Sequence, residues 1–591
     1  MAGWMDNIAE VDLSSDEVRF WNLGAEEREK FIGGRGIGAK LLYQNLEPGI
    51  DALGQDNILI ISVGPLTGTP APTSGRYVVS TKSPLTGTIF DANSGGFFAT
   101  KFKACGVDAL ILKRAARSPV IIYMTEKDIQ ILDGSEYWTR STSETTDLLT
   151  QRFGKDSKVA CIGQAGENLV RIAGIVNDYH RIAARGGVGA VMGAKKIKAI
   201  VAKGTAKIEV ADRDNFLFVV RECNRIFDQH PITSKALPRF GTTVLVNLMN
   251  ELGVLPAKNF RSTFHQEAEL LSGEEITKRL LLRQKACFGC KIACGRVTKL
   301  GQTEGEGPEY ETVFALGSCC LIWDLEKVTK ANYLCDDLGL DTISMGVTIG
   351  CAMELSERRL LPEGIEWGNA DKMIGLLTKT AHREGIGNDL AEGSKRLAQK
   401  YGAEDAAMQV KGLELPGYDP RGAKGQGLAY ATSNRGACHL RSYMVGLEIL
   451  GVPKRIDRFS EVNKAGLVVF QQNLNSAMDT LVACRFTGYG LDEEHYSRML
   501  SAATGVKYSA EDFMFVGERI WNLEKLFNLR EGFDGQTDTL PSRFLSEPLQ
   551  EGPTKGQTVE LESMLEEYYR FRGWDEKGRP VRRTLERLGL S

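Results

Sequence analysis

A chain of 591 residues exceeds one small domain, and length alone allows about three or four. With 42% hydrophobic residues, 25% charged residues and a formal net charge of -3 it reads as a globular protein, and without a basic tract it offers nucleic acid no electrostatic footing. Its 12 cysteines do not read as a disulfide framework in a chain this large, and no secretory signal pattern precedes Val11, so a cytoplasmic location is expected.

In chain order, residues 9–13 and 18–21 alternate apolar and polar around Ser14, Ser15 and Asp16, which predicts a strand pair. Gly33, Gly34, Gly36 and Gly38 surround Arg35 and lead into apolar-periodic residues from Ala39, placing glycines where a helix starts. Such an end can face an anion or simply make a tight turn; the Lys-Ser/Thr ending of a P-loop is missing. The longest uncharged run, 57–75, approaches membrane-spanning length but holds Pro65, Pro70 and Pro72, so no span is expected. Within it 57–63 predicts a buried strand, and 75–80 and 89–98 predict further strand and turn. Arg76, the first charge after that run, is expected at the end of a buried strand with an anionic or hydrogen-bonding partner, the alternative being a surface guanidinium. Strands are expected at 107–113 and 120–123, and a short amphipathic helix at 145–153. A second glycine-rich stretch, 183–193, is followed by Lys195, Lys196 and Lys198. This suits a phosphorylated ligand, while the lysine row equally suits a solvated face.

From about 210 the periodicity becomes helical, with three-to-four spacing at 216–227, 277–282, 325–334, 343–355 and 371–384, broken by a Pro- and Gly-bearing loop at 415–427. Within this half Cys287, Cys290 and Cys294 are spaced so that three thiolates can hold three corners of one iron–sulfur cluster, the fourth ligand coming from far away. Structural zinc would want a second short-spaced pair, and a cluster that splits S-adenosylmethionine would show the reverse spacing. Chance burial of free thiols is a poor account of three cysteines in eight residues. Two hexapeptides, 336–341 and 479–484, echo each other, each opening on Asp. Such a pair could bind two copies of one ligand from two domains, and the second ends on Cys484, a candidate fourth cluster ligand.

With Arg76, Asn93, Gly95, the 185–193 stretch, the 307–311 segment Gly-Pro-Glu-Tyr-Glu and the 434–439 segment Asn-Arg-Gly-Ala-Cys-His, these motifs resemble the tungsten-containing aldehyde:ferredoxin oxidoreductase family, from the first strands to about Phe486. The resemblance implies an α+β fold: a β-rich cofactor base over 1–205, a mainly helical domain over 206–412 with the cluster cysteines and first Asp motif, and a mainly helical domain over 413–591 with His439, the second motif and Cys484. It implies a tungsten, or molybdenum, bis-pterin cofactor with Mg2+ bridging the pterin phosphates, and one [4Fe-4S] cluster on Cys287, Cys290, Cys294 and Cys484. Implied cofactor contacts are Arg76, Asn93, Gly95, Ala183, Arg185 and Gly186 on the base, Asp336, Gly339, Leu340 and Asp341 at the first motif, and Asp479 and Ala483 at the second. There Val482 and Ala483 replace the family's Gly-Leu. Glu311 and His439 are implied as the catalytic carboxyl and imidazole, with Tyr310 beside them and Glu309 behind. Read without the family, His439 is a satisfied core histidine.

The implied activity interconverts aldehydes and carboxylic acids, with electrons leaving through the cluster to ferredoxin or an iron–sulfur partner subunit. A reductase of aromatic acyl-CoA thioesters (benzoyl-CoA type) and a non-catalytic electron-transfer subunit are the alternatives. Some family members bridge two subunits with iron through Glu-x-x-His; Lys330 and Tyr333 stand at those positions, so a metal-bridged homodimer is not expected.

Overall fold

The computed structural model describes residues 2–591. Twelve strands fall within residues 8–202: β1 (Ile8–Asp12), β2 (Glu17–Trp21), β3 (Leu59–Ser62), β4 (Tyr77–Lys82), β5 (Ile89–Ser94), β6 (Ala109–Lys113), β7 (Val120–Met124), β8 (Ile129–Asp133), β9 (Lys158–Cys161), β10 (Ile175–Asn177), β11 (Arg181–Ala183) and β12 (Ile197–Ala202). They form two six-stranded sheets, ordered β2-β1-β6-β3-β4-β5 and β11-β10-β9-β12-β7-β8. β1 pairs antiparallel with β2, as the alternation predicted.

The uncharged run is explained by burial on both sides of the first sheet. Leu59 and Ile61 join one apolar core while Ile58 and Ile60 join the other, because successive side chains leave a strand on opposite faces. The helix Thr142–Phe153 starts three residues before the apolar pattern, where Ser141 and Glu144 cap it reciprocally.

The remainder is mainly helical, and two expectations are corrected. The periodic segment at 277–282 is split between the helix Gly273–Arg279 and strand β13 (Leu281–Lys285), which pairs with β14 (Gly295–Leu300), itself paired with β15 (Thr303–Glu306). The helix Thr342–Glu357 is buried without interruption from Ile343 to Leu355, so it has no solvent stripe; it crosses the core. Among the described residues no helix is long and apolar enough to cross a membrane.

Candidate active site

A hairpin presents three of the four thiols. Lys285 of β13 pairs with Gly295 of β14, and the loop between them carries Cys287, Cys290 and Cys294. Cys484 arrives from the end of the helix Lys464–Leu481, its backbone N–H donating to Thr73 Oγ1 at 3.1 Å. All four are free thiols and line one cavity of about 400 Å³. Burial, then the neighbouring sulfurs, pushes the Cys290 thiol up to about 11; Cys294 is pushed well up by burial, Glu309 and Cys484. Ligation by iron would displace those protons. Among the described residues no group of three or more His, Cys, Asp or Glu side chains is gathered for a single metal ion.

Arg76, Asn93 and Gly95 line the same cavity. Arg76 stands at the start of β4 and donates from Nε to Asn93 Oδ1 at 2.7 Å. A Cβ on Gly95 would lie 2.9 Å from both Arg76 Nη1 and Cys287 Sγ, so only glycine leaves room between this guanidinium and the thiols.

Glu311, Tyr310 and His439 share the cavity. Tyr310 and Glu311 open the helix Tyr310–Leu316; Glu311 Oε2 accepts from the Gly417 N–H at 2.9 Å and Tyr310 donates to the Gly417 carbonyl at 2.5 Å. His439 Nε2 lies 3.6 Å from Glu311 Oε1. Burial raises Glu311 to about 8 and, with Arg185 and Arg435 nearby, drives His439 well below its ordinary value. The contact therefore joins a carboxylic acid and a neutral imidazole at neutral pH, not an ion pair. Glu311 Oε1 and His439 Nδ1 are buried without hydrogen-bond partners. Glu309, expected behind the pocket, lines it and accepts from Thr242 Oγ1 at 2.5 Å.

The remaining expected contacts do not line this cavity. Asp336 Oδ2 lies 3.3 Å from Nδ1 of His180, which does line it. Gly339 ends the helix Leu325–Leu338 in left-handed backbone at φ 74, Leu340 is buried, and Asp341 caps the helix Thr342–Glu357. Val482 ends the helix Lys464–Leu481 at φ 56, with Ala483 next in the chain. The internal echo is thus structural: each motif ends a helix on a left-handed residue, Gly in one and a β-branched Val in the other. On the base, Ala183 ends β11, Gly186 has φ +63, and Arg185 Nε lies 3.6 Å from Asp341 Oδ2.

The first glycine-rich stretch sits where a helix starts, as expected, and forms the first turn of the helix Gly34–Asn45. Its start is not an open anion seat: a Cβ on Gly34 would overlap the Asp479 carbonyl and the Val482 side chain, so these glycines let the base press against the second motif. The lysine row is neither ligand site nor solvated face throughout. Lys195 and Lys198 are buried, donating to the carbonyls of Asn57 and Arg140 respectively, while exposed Lys196 donates to that of Arg117.

Sequence reading also missed a buried guanidinium cluster. Asp479 accepts from Arg441 at 2.7 Å, Arg485 at 3.0 Å and Arg35 at 3.2 Å, and Arg35 makes a two-pronged pair with Glu524 at 2.6 and 2.7 Å. Arg435 donates to the Asp91 carbonyl and to Cys438 Sγ, and Arg441 to the Asp91 carboxylate. Although burial works against it, Arg435 and Arg441 bring the Cys438 thiol down to about 7. Arg185, Arg435 and Arg485 each keep a buried Nε without a hydrogen bond. Donors left over in a buried site suit an anionic cofactor. The only local signal was arginine amid glycines at Arg35 and Arg435.

Thiols and a carboxyl–imidazole pair around one cavity, with spare guanidinium donors buried in the same molecule, define an oxidoreductase with resident cofactors. A family model described as aldehyde ferredoxin oxidoreductase, N-terminal domain, matches residues 8–204, and one for domains 2 and 3 of the same enzyme matches 219–590. The tungsten-containing aldehyde ferredoxin oxidoreductase of Pyrococcus furiosus is 46% identical over 100% of both chains, and that of Thermococcus kodakarensis is 45% identical over 100% of both. The active site complex BamBC of benzoyl coenzyme A reductase shares the fold, with a TM-score of 0.87 at 23% identity over 100% of this chain and 97% of that one. This chain belongs to the aldehyde ferredoxin oxidoreductase family.

Proposed function

We propose that the protein oxidises aldehydes to carboxylic acids, or runs the reverse reduction, at a pterin–tungsten centre, and passes the electrons through an iron–sulfur cluster to ferredoxin. The observation that carries this reading is that Glu311, His439 and all four thiols line one cavity. When bound, the pterin-held metal would supply two-electron redox chemistry and the cluster one-electron transfer. The residues fit both groups: Cys287, Cys290, Cys294 and Cys484 would hold a [4Fe-4S] cluster, and the spare guanidinium donors of Arg185, Arg435 and Arg485 would hold the pterin phosphates, with Mg2+ bridging them. Arg76, beside the thiols, would contact the cofactor, and Asp336 and Asp479 would contribute to two matching pterin seats.

The side-chain chemistry follows from the two protonation states. Glu311, once deprotonated, takes a proton from the water that adds to the carbonyl carbon. His439, kept neutral by burial, holds the carbonyl oxygen with its single N–H. Tyr310, tied to Gly417, fixes the wall against which the substrate lies.

The same proposal includes tungsten over molybdenum, domain limits at 205 and 412, a cytoplasmic setting and no iron bridge between subunits at Lys330 and Tyr333. Its test is reduction of a viologen dye by metal-replete protein given a panel of aldehydes, beside the reverse assay with an aryl-CoA ester. Aldehyde-dependent dye reduction is expected. Activity confined to the CoA ester would move the protein to the acyl-CoA reductase reading, and pure protein lacking both tungsten and molybdenum when both are supplied would leave only an electron-transfer role.

A further inference from the structure

Oxidation of an aldehyde by water, RCHO + H2O → RCOOH + 2 H+ + 2 e−, forms a C–O bond, breaks the carbonyl C–H bond and releases protons with the electrons. The electrons pass singly to a low-potential one-electron carrier. A thiolate-held cluster conducts electrons and offers protons no way out of so buried a site.

A row of phenol hydroxyls starts at the acid–base pair. Tyr418 is 3% exposed, and its ring centroid lies 5.5 Å from that of His439. Its hydroxyl lies 3.3 Å from that of Tyr443, and Tyr489 shares their cavity. All three line the cavity that holds Glu311. The Tyr489 ring stacks on His230, centroids 6.3 Å apart and planes within 13°, at the end of the helix Arg213–Gln229. His230 is half-buried and its Nδ1 is buried without a hydrogen-bond partner.

Packing alone does not account for these hydroxyls, since phenylalanine would fill the same space without a polar group to satisfy. Two other tyrosines of the same region anchor on fixed backbone, Tyr310 on the Gly417 carbonyl and Tyr430 on the Tyr418 carbonyl. Tyr418 and Tyr443 pair with each other instead. Each phenol can accept one proton while releasing another, so a chain of them relays a proton without any group having to move far.

We propose that Tyr418, Tyr443 and Tyr489 carry the protons released at Glu311 and His439 outward to His230, by a route separate from the electron exit through the four thiols. Waters of the cavity close the steps from Glu311 to the Tyr418 hydroxyl, from Tyr443 to Tyr489 and from Tyr489 to His230. The relay rests on the aldehyde-oxidising reading above. Its residues act through the catalytic pair and position the proton path; they do not touch the carbonyl.

The test compares metal-replete wild type with Tyr443→Phe, Tyr489→Phe and His230→Gln, in H2O and D2O, with and without added imidazole. Expected for each is a fall in kcat of about tenfold, less than the ~10²–10⁴-fold due to a group that takes the proton directly. KM is unchanged, the solvent isotope effect grows, and imidazole restores turnover. Two results would overturn the relay: wild-type kcat and isotope effect in both folded Tyr variants, or a raised KM at unchanged kcat, which would make the row a substrate wall. A wild-type holoenzyme inactive toward aldehydes removes the relay together with the reading it rests on, whereas an active wild type with unaffected variants removes the relay alone.

Discussion

Burial does the chemical tuning at the level of single side chains. With Glu311 raised to about 8, the base is the deprotonated minority form at neutral pH, so kcat/KM should climb as pH rises and level off above about 8. Glu311→Gln should lose that limb of the profile and lower turnover by ~10²–10⁴-fold with tungsten and cluster retained. His439→Asn should cost a similar factor. Steady-state rates set beside metal and iron content decide the matter: activity that merely tracks lost tungsten would make both residues cofactor supports. The cluster assignment is tested by iron and sulfide analysis. Cys484→Ser should lower both, and Cys319→Ser, a buried thiol remote from the cavity wall, should lower neither. The residue types and spacings were legible because thiolate and carboxylate chemistry depends on side-chain identity. Arg441 and Arg485 were not legible, because a guanidinium looks the same in sequence whether it meets water or Asp479.

Elements are joined at glycines. Gly34, with φ +41, sits where the helix Gly34–Asn45 meets the second Asp motif, and a Cβ there would strike the Asp479 carbonyl and Val482. Gly34→Ala should destabilise by roughly 2–5 kcal/mol, combining about 1–3 for overpacking with about 1–2 for left-handed strain. Gly49, with φ +80 and nothing within 4 Å, isolates the second contribution, so Gly49→Ala should cost only about 1–2 kcal/mol. Urea unfolding of the pair measures the difference, and equal midpoints would remove the packing argument. The helix start at Thr142 was misjudged because apolar periodicity reports the buried stripe, whereas the cap sets where the backbone begins to turn. The strand β13 was missed because Leu281 and Leu282 continue a helical period; their pairing with a strand beyond the cysteine loop is a non-local fact.

The molecule as a whole gathers its site from distant parts of the chain: Arg76 from the base, Cys287 from a hairpin, Glu311 and His439 from two helical regions, and Cys484 from a helix end. Electrons then have one exit and need an external carrier. Purified holoenzyme with an aldehyde should reduce a low-potential ferredoxin, and its iron content should match a single cluster per chain. A chelator-sensitive dimer with a further equivalent of iron near Tyr333 would contradict the absence of a bridge; sedimentation before and after chelation checks it.

Local chemistry and periodicity sufficed for the strand-rich first third, the helical remainder, the thiol spacing and the two Asp motifs, because each depends on neighbours a few residues apart. Tertiary structure alone decided that Asp479 spends its oxygens on three arginines, that Lys195 and Lys198 are internal struts, that Glu309 faces the cavity and that Tyr418 and Tyr443 pair beside His439. Those facts depend on burial and on partners tens or hundreds of residues away, and a side chain carries no mark of either until the chain has folded around it.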